Sequence, residues 1–267
     1  MTWFAVALIS ALLSAFAAIT QKKVLFNLSA LEFSFLLSIA NLVFSIPFFF
    51  FIDYDTINIL NLLILLVKSV IGVAAFLCVM IALKNLEISN TLPLLALTPG
   101  FVAVFAFLLL GESLKTVEVI GLVFLIFGTF ILESKNLKEF VSPFSVFLKS
   151  KYHRYIILAL FLFTASSILD KLLLIKLNLS PISLTAFQHI YFAILFSIIF
   201  LISSRKTKID SVGFKKENIG WIALISLLTI GYRYTQIVAV SLASVALVLA
   251  IKRTSVFWAT VIGGKLF

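Results

Sequence analysis

Long apolar runs separated by short polar connections set the pattern of this 267-residue chain. A helix needs about 20 residues to cross a bilayer, and each run has roughly 16–27 residues. Lipid offers the backbone no hydrogen-bond partners, so runs of this length predict transmembrane helices. The pattern therefore predicts an all-α polytopic membrane protein. Its nine expected spans are residues 3–20, 33–52, 57–83, 88–110, 117–132, 155–175, 183–203, 219–240 and 243–262.

Composition supports lipid as the solvent. Hydrophobic residues make up 63% of the chain and charged residues 12%, whereas a soluble domain has roughly 45–50% and about 25%. A soluble enzyme, a secreted disulfide domain and a disordered tail are thereby excluded. The single cysteine, Cys78, cannot form an internal disulfide, and the sequence contains no nucleotide P-loop, metal-ligand cluster or nucleophile–base pair. We therefore expect no enzymatic activity, metal or cofactor.

The two halves of the chain resemble each other weakly. Residues 21–25 align with residues 170–174 at an offset of 149, and residues 82–83 align with residues 239–240 at an offset of 157. The order of the matches is consistent, and such duplication is common in secondary transporters. The sequence thus predicts a repeat in residues 1–134, a polar linker in 135–153 and a second repeat in 154–267. Five spans fall in the first repeat and four in the second. We expect that the sequence is a fragment without its tenth helix; the alternative is a second repeat that is naturally short.

Four motifs resemble the EamA-like family of the drug/metabolite transporter superfamily. They are residues 82–90 (ALKNLEISN), 97–99 (LTP), 110–114 (LGESL) and 250–255 (AIKRTS). One departure is Val256, which stands where the family pattern has a proline. The resemblance implies ten helices in two inverted five-helix repeats. It also implies a multi-pass transporter in the plasma membrane (the cell inner membrane) that carries a small-molecule metabolite, with coupling to protons or ion exchange. It does not name the substrate.

Charged residues near the middle of a span are the strongest functional signal. Lys252 and Arg253 lie about ten residues from either end of the ninth run, where each cation costs roughly 2.5–3.5 kcal/mol to insert. They either pair with an acid on another helix or line a cavity that holds water or substrate. Tyr232, Arg233 and Gln236 share part of one helix face in the eighth run, and they could bind an anionic or aromatic ligand or anchor the helix at the headgroups.

Other polar positions complete the candidate site. Lys68, midway along the third run, is a further cavity candidate, and Asp170 could serve in an ion pair or in ion coupling. His189 could relay protons or make a helix contact. Pro93 and Pro99 free backbone carbonyls and would allow a gating bend in the fourth run. We place Lys22 and Lys171 at the membrane interface.

The imbalance of these charges predicts the substrate. Lys68, Arg233, Lys252 and Arg253 face one acid, Asp170, and unpaired buried charges cost several kcal/mol each. We therefore expect a secondary transporter that exports an anionic or zwitterionic metabolite, with Arg233 and Arg253 as direct contacts. The alternatives are a scaffold or receptor that transports nothing and, less well supported, a membrane-embedded transferase. Whether the chain is a monomer or a homodimer stays open.

The net charge of +10 reports orientation in the membrane rather than nucleic-acid binding. Thirteen lysines and arginines fall in the odd-numbered loops and three in the even-numbered ones. The positive-inside rule then places the odd loops in the cytoplasm and the N-terminus outside. The family resemblance implies a cytoplasmic N-terminus, so the two arguments disagree.

A topology reporter distinguishes these orientations. Fused within residues 133–154, one of two long loops that each carry five lysines and arginines, it should report the cytoplasm. Alkaline phosphatase and a fluorescent protein fused at the same site give opposite signals. Periplasmic phosphatase activity would reverse the orientation and leave the helix assignment intact.

Overall fold

The computed structural model describes residues 2–87, 95, 97–133, 151–204 and 216–259. This part of the chain is helical and contains no strand. Its nine α-helices are α1 (Trp3–Leu25), α2 (Ala30–Ser45), α3 (Ile59–Asn85), α4 (Thr98–Leu110), α5 (Thr116–Glu133), α6 (Lys151–Lys171), α7 (Pro181–Ser204), α8 (Lys216–Leu242) and α9 (Val245–Lys252). Two 3₁₀ segments (Ile46–Phe51 and Tyr54–Thr56) follow α2, and a π-helical turn (Leu172–Lys176) follows α6.

Length and composition make several of these helices capable of crossing a bilayer. Six described segments meet that requirement: Trp3–Leu25, Ala30–Phe51, Ile59–Asn85, Lys151–Lys176, Pro181–Ser203 and Asn218–Leu242. The outer surface is apolar, with Phe124 72%, Leu109 67% and Leu201 63% exposed. Side chains of this kind are stable on the outside of a bundle when lipid surrounds it. The predicted all-α membrane fold is confirmed.

Two helices depart from the runs expected for them. The expected span at 33–52 changes from α-helix to 3₁₀ after Ser45, where Pro47 lacks the N–H that an α-helical turn needs. The expected span at 243–262 is interrupted at Arg253, whose N–H is shared between Leu249 O at 2.9 Å and Ala250 O at 3.2 Å. Residues 254–259 continue as a further helical stretch.

Helix ends follow local sequence signals. Ser29 and Glu32 form a capping box at α2: the Glu32 N–H donates to Ser29 Oγ at 3.1 Å, and the Ser29 N–H donates to Glu32 Oε2 at 2.9 Å. Gly111 ends α4 in the left-handed region, with φ of 70°, where a residue without a side chain is unstrained.

The helix–helix contacts made by one half of the chain are also made by the equivalent helices of the other half. The repeat makes α6 the counterpart of α1 and α8 the counterpart of α3. It therefore predicts that, if α1 packs on α8, α6 packs on α3, and both contacts are present. The contact of α2 with α8 likewise matches that of α7 with α3, and α4 on α6 matches α9 on α1. Helices α2 and α7 pack on each other, as do α4 and α9. The described helices therefore form two structurally related halves.

The apolar core consists of two clusters at opposite ends of the bundle. One joins the C-terminal parts of α1 and α3 to the N-terminal parts of α6 and α8. The other joins the N-terminal part of α1 to the C-terminal parts of α6 and α8 and to α9. Equivalent helices α1 and α6 thus run in opposite directions, as an inverted repeat requires. The repeat boundary expected within 135–153 falls largely outside the described residues and stays a prediction.

Two lysines that were expected at the membrane interface lie at helix ends, where they are largely buried in the protein. Lys22 Nζ donates to the carbonyl oxygens of Leu83 at 2.7 Å and Leu86 at 2.8 Å, at the end of α3. Lys171 Nζ donates to those of Val240 at 2.9 Å and Ala243 at 2.7 Å, at the end of α8. Both lysines satisfy C-terminal carbonyls that have no partner within their own helix. The offsets are 149 between the lysines and 157 between their acceptors, as in the sequence alignment.

Removing one of these caps should destabilise the bundle. Replacing Lys22 with Met leaves two carbonyl groups without their charged donor, and we expect the free energy of unfolding to fall by about 2 kcal/mol. Thermal unfolding in detergent measures the effect. Lys176→Met, at an exposed position, is the matched control and should leave the melting temperature unchanged. Equal melting of both variants would show that the cap contributes nothing.

Candidate functional site

A polar cavity of about 140 Å³ lies between the two apolar clusters. Residues from the middle of α2, α3, α6, α7 and α8 line it, together with the C-terminal half of α9 and Arg253. A site for one water needs roughly 10–15 Å³, so the cavity can hold several waters or a small organic molecule. Its polar lining residues are Ser34, Ser38, Asn41, Ser166, Ser167, Asp170, Gln188, His189, Thr229, Tyr232, Arg233, Gln236, Lys252 and Arg253.

The carboxylate of Asp170 holds two cations from different helices. Its Oδ1 is 3.0 Å from Lys68 Nζ on α3, and its Oδ2 accepts a hydrogen bond from Arg233 Nη2 on α8 at 2.7 Å. Both Lys68 and Asp170 are almost completely buried. The structure therefore brings together three of the charged residues that sequence analysis singled out separately.

Gln188 on α7 connects the same cations. Its Oε1 accepts from Arg233 Nε at 3.2 Å and Arg233 Nη2 at 3.0 Å, and also from Lys68 Nζ. A buried charge is tolerable only when hydrogen bonds and a counter-charge replace its hydration. Asp170 supplies the counter-charge and Gln188 supplies further acceptor capacity, so this part of the site is internally compensated.

Lys252 on α9 has a different environment. Its Nζ donates to Gln236 Oε1 and lies 4.6 Å from the centre of the Tyr232 ring. An amide oxygen and an aromatic face stabilise an ammonium but carry no net charge. The candidate residues Tyr232, Gln236 and Lys252 therefore form one group, in which the positive charge has no carboxylate at hydrogen-bonding distance among the residues described.

Arg253 directly follows the last residue of α9, and one of its guanidinium nitrogens is hydrogen-bonded to a neighbouring helix. Its Nη2 donates to Thr98 Oγ1 at 3.0 Å, and Thr98 in turn donates to Leu95 O at 2.6 Å. The Nε of Arg253 is buried and has no hydrogen-bond partner in the described part of the chain. A buried donor without a partner is costly, and in a cavity wall it is a position that a ligand acceptor can satisfy.

Of the remaining candidate residues, the structure describes His189 and Pro99 but not Pro93. His189 lines the cavity, and its Nδ1 has no hydrogen-bond partner among the described residues. Pro99 lies in the first turn of α4, where its missing N–H costs nothing, and Pro93 lies outside the described residues. The predicted proton relay and gating bend stay predictions.

Sequence analysis missed the polar face of α2. Ser34, Ser38 and Asn41 line the cavity, and Asn41 Oδ1 accepts a hydrogen bond from Ser226 Oγ on α8 at 2.7 Å. The signal was their spacing of four and three residues within an apolar run, which places them on one helix face. The aromatic side of the cavity was missed too, and it is formed by Phe76, Phe163, Phe192 and Phe196.

Comparison with known protein families identifies a relationship for the first half of the chain. The model of the EamA-like transporter family matches residues 1–134, half of the chain. No curated protein matches the chain.

The charge cluster should depend on Asp170 for stability. Asp170→Asn leaves Lys68 and Arg233 buried without a counter-charge, and breaking a buried pair in this way costs about 3–5 kcal/mol. Adding Lys68→Met to the same chain removes one uncompensated cation and should recover part of the loss. Melting temperatures of the purified variants in detergent measure both effects.

The control for these two variants is Asp55→Asn, because Asp55 is an exposed acid in the connection between α2 and α3. It should melt like the unmodified protein. Stability of Asp170→Asn equal to that of the control would mean that Asp170 does not compensate the two cations.

Proposed function

Because the chain belongs to the EamA-like transporter family and is thereby a membrane transporter, we propose that it exports a small anionic or zwitterionic metabolite by alternating access. The substrate would occupy the central cavity between the two repeats. The repeat boundary at residues 135–153 and a location in the plasma membrane are parts of the same proposal. Midplane sites at a repeat interface are a general feature of secondary transporters.

The observation that carries the proposal is the charge balance of the cavity. Among the described residues, four cations and one carboxylate lie in or beside it, an excess of three positive charges. Asp170 compensates Lys68 and Arg233 by direct contact, whereas Lys252 and Arg253 contact only neutral groups in the described structure. An anionic group of the substrate would supply the missing charge, and water would supply part of it between transport cycles.

The geometry also ranks the cationic side chains as ligand contacts. Arg233 already uses Nε and Nη2 on Asp170 and Gln188, so less of its guanidinium is available than the sequence suggested. Arg253 has a buried Nε without a hydrogen-bond partner among the described residues, and the adjacent residue, Lys252, supplies an ammonium group. A carboxylate or phosphate accepts hydrogen bonds well from a guanidinium, because two parallel bonds fit its geometry. We assign the substrate's anionic group to Lys252 and Arg253.

Substitution of Arg253 tests this assignment. Arg253→Lys keeps the charge and loses the two-pronged donor, so transport of the anionic substrate should fall by roughly tenfold. Arg253→Leu should insert normally and abolish that transport, because neither charge nor donor survives. Arg154→Lys, at an exposed position at the start of α6, is the control and should transport at the unmodified rate.

The measurement is efflux from vesicles loaded with a panel of labelled carboxylates, phosphates, amino acids and cationic dyes. Wild-type transport by Arg253→Leu would make Arg253 structural and remove the main support for an anionic substrate. Efflux restricted to cationic dyes would contradict the substrate class. No flux of any compound would favour a scaffold or receptor.

A further inference from the structure

A second buried charge cluster lies outside the cavity, where α4 ends and α9 begins. Glu112 Oε1 is 3.2 Å from Lys171 Nζ. The other carboxylate oxygen, Oε2, accepts from Ser244 Oγ at 2.9 Å and from the Val245 N–H at 3.2 Å. We call Glu112, Lys171, Ser244 and Val245 the clasp. Each oxygen of the Glu112 carboxylate is thus engaged, one by an ammonium and the other at the first turn of α9.

The ion pair of the clasp is largely shielded from solvent. The Lys171 and Glu112 side chains are only 11% and 16% exposed. Lys171 also donates to the carbonyl oxygens of Val240 and Ala243, so all three ammonium hydrogens have an acceptor. The carboxylate lies at the positive end of the α9 helix dipole. Removing one partner of a shielded pair is costly, because the other charge is left without compensation.

Local sequence explains how Glu112 reaches this position. Gly111 takes a left-handed conformation, and its N–H donates to Phe107 O at 3.2 Å while the Glu112 N–H donates to Ala106 O at 3.2 Å. This closes α4 and directs the chain away from the helix axis at Glu112. The Gly-Glu pair, noted in the sequence only as a motif, is therefore a turn that delivers a carboxylate to another helix.

The clasp joins the two repeats just beyond the cavity. Glu112 belongs to the first repeat, and Lys171, Ser244 and Val245 belong to the second. Lys171 follows the cavity residue Asp170 directly. On α8, the Lys171 acceptor Val240 lies four residues beyond the cavity residue Gln236, which is about 6 Å along the helix. The clasp thus lies about one helical turn from the cavity, at the end of the bundle where α4 and α8 end.

The opposite end of the bundle offers a comparison. Lys22, the counterpart of Lys171, caps α3 from α1, and both helices lie in the first repeat. The lysine cap is therefore a feature that each repeat makes within itself. At the clasp, Lys171 also contacts the carboxylate of Glu112 from the first repeat, so this end of the bundle has a bond between the two repeats.

We propose that the clasp is a gate: it closes the cavity at the end of the bundle where α4 and α8 end, and it breaks whenever the cavity opens to that side. The inference rests on the proposed transport function. Alternating access moves one repeat against the other around a fixed central site. At this end, the repeats cannot separate until Glu112 leaves Lys171, Ser244 and Val245, and the opening admits the water that then solvates the charges.

Cysteine labelling tests the gate without knowledge of the substrate. The native cysteine is first removed by Cys78→Ala, and Ser167→Cys places a single thiol in the cavity wall. A membrane-impermeant maleimide is applied to right-side-out and inside-out vesicles. In this background, Glu112→Gln should raise the labelling rate by roughly tenfold from one side alone, because it shifts the population toward the state open at the clasp.

Glu118→Gln is the matched control. Glu118 lies in the same hairpin, is partly exposed, and accepts from the Lys115 N–H at 2.7 Å. It should leave labelling unchanged from both sides. The side that responds to Glu112→Gln should be the side that the Lys115 loop faces, opposite to the reporter in residues 133–154. Labelling that does not change, or that rises equally in the control or from both sides, would overturn the gate.

A reversible cross-link provides the second test. Glu112→Cys with Ser244→Cys in the Cys78→Ala background is joined by a short bis-methanethiosulfonate reagent, and cross-linking is quantified by the loss of free thiols. Transport by the cross-linked protein should stop and return on reduction. Unchanged transport with the cross-link formed would overturn the gate but not the transport function. Absence of flux in the unmodified protein would instead count against the transport function, and the labelling test would still decide whether the clasp controls access.

Discussion

The carboxylate of Asp170 is the constraint on which the centre of the bundle depends. It contacts Lys68 on α3 and Arg233 on α8, and so ties α6 to both of these helices. Gln188 extends the same network to α7. Because one carboxylate compensates two of four cations, its position also determines which charges are offered to a ligand. Structure and proposed specificity therefore depend on the same group.

The repeat solves a second problem, which is how to end long helices that are packed inside the bundle. Carbonyl groups at the ends of α3 and α8 need donors, and each receives a lysine from the first helix of its own repeat. Lysine suits this role because its apolar stem can cross a hydrophobic cluster while its ammonium offers three donors. The related helices of the two halves thus share both their packing and their caps, which lie at opposite ends of the bundle.

The sequence predicts those features that can be recognised within a single helix, such as its length and the charged residues inside it. Span lengths follow from the apolar runs, and Lys68, Lys252 and Arg253 stand out because each is costly in lipid. The pairing of Asp170 with two specific cations depends on how each helix is rotated about its axis, which a weak periodicity does not reveal. Single hydroxyl and amide groups such as Ser34 and Asn41 carry little cost, so the polar face of α2 was missed. The capping contact of Lys22 could not be predicted because its acceptors are backbone carbonyls, which no residue type marks.

The contacts of Asp170 in the cavity and the contacts of the clasp respond differently when one end of the bundle opens. Asp170 and its partners lie between the two apolar clusters, so a rocking motion that opens either end leaves their immediate neighbours in place, and their bonds can persist through the cycle. The clasp lies at one end, where opening brings water to both charges. Since hydration replaces most of what the broken pair loses, the cost of opening is far below that of separating the same charges in a dry interior. Electrostatic interactions that must persist therefore lie at the centre, and the interaction that must break lies where water can reach it.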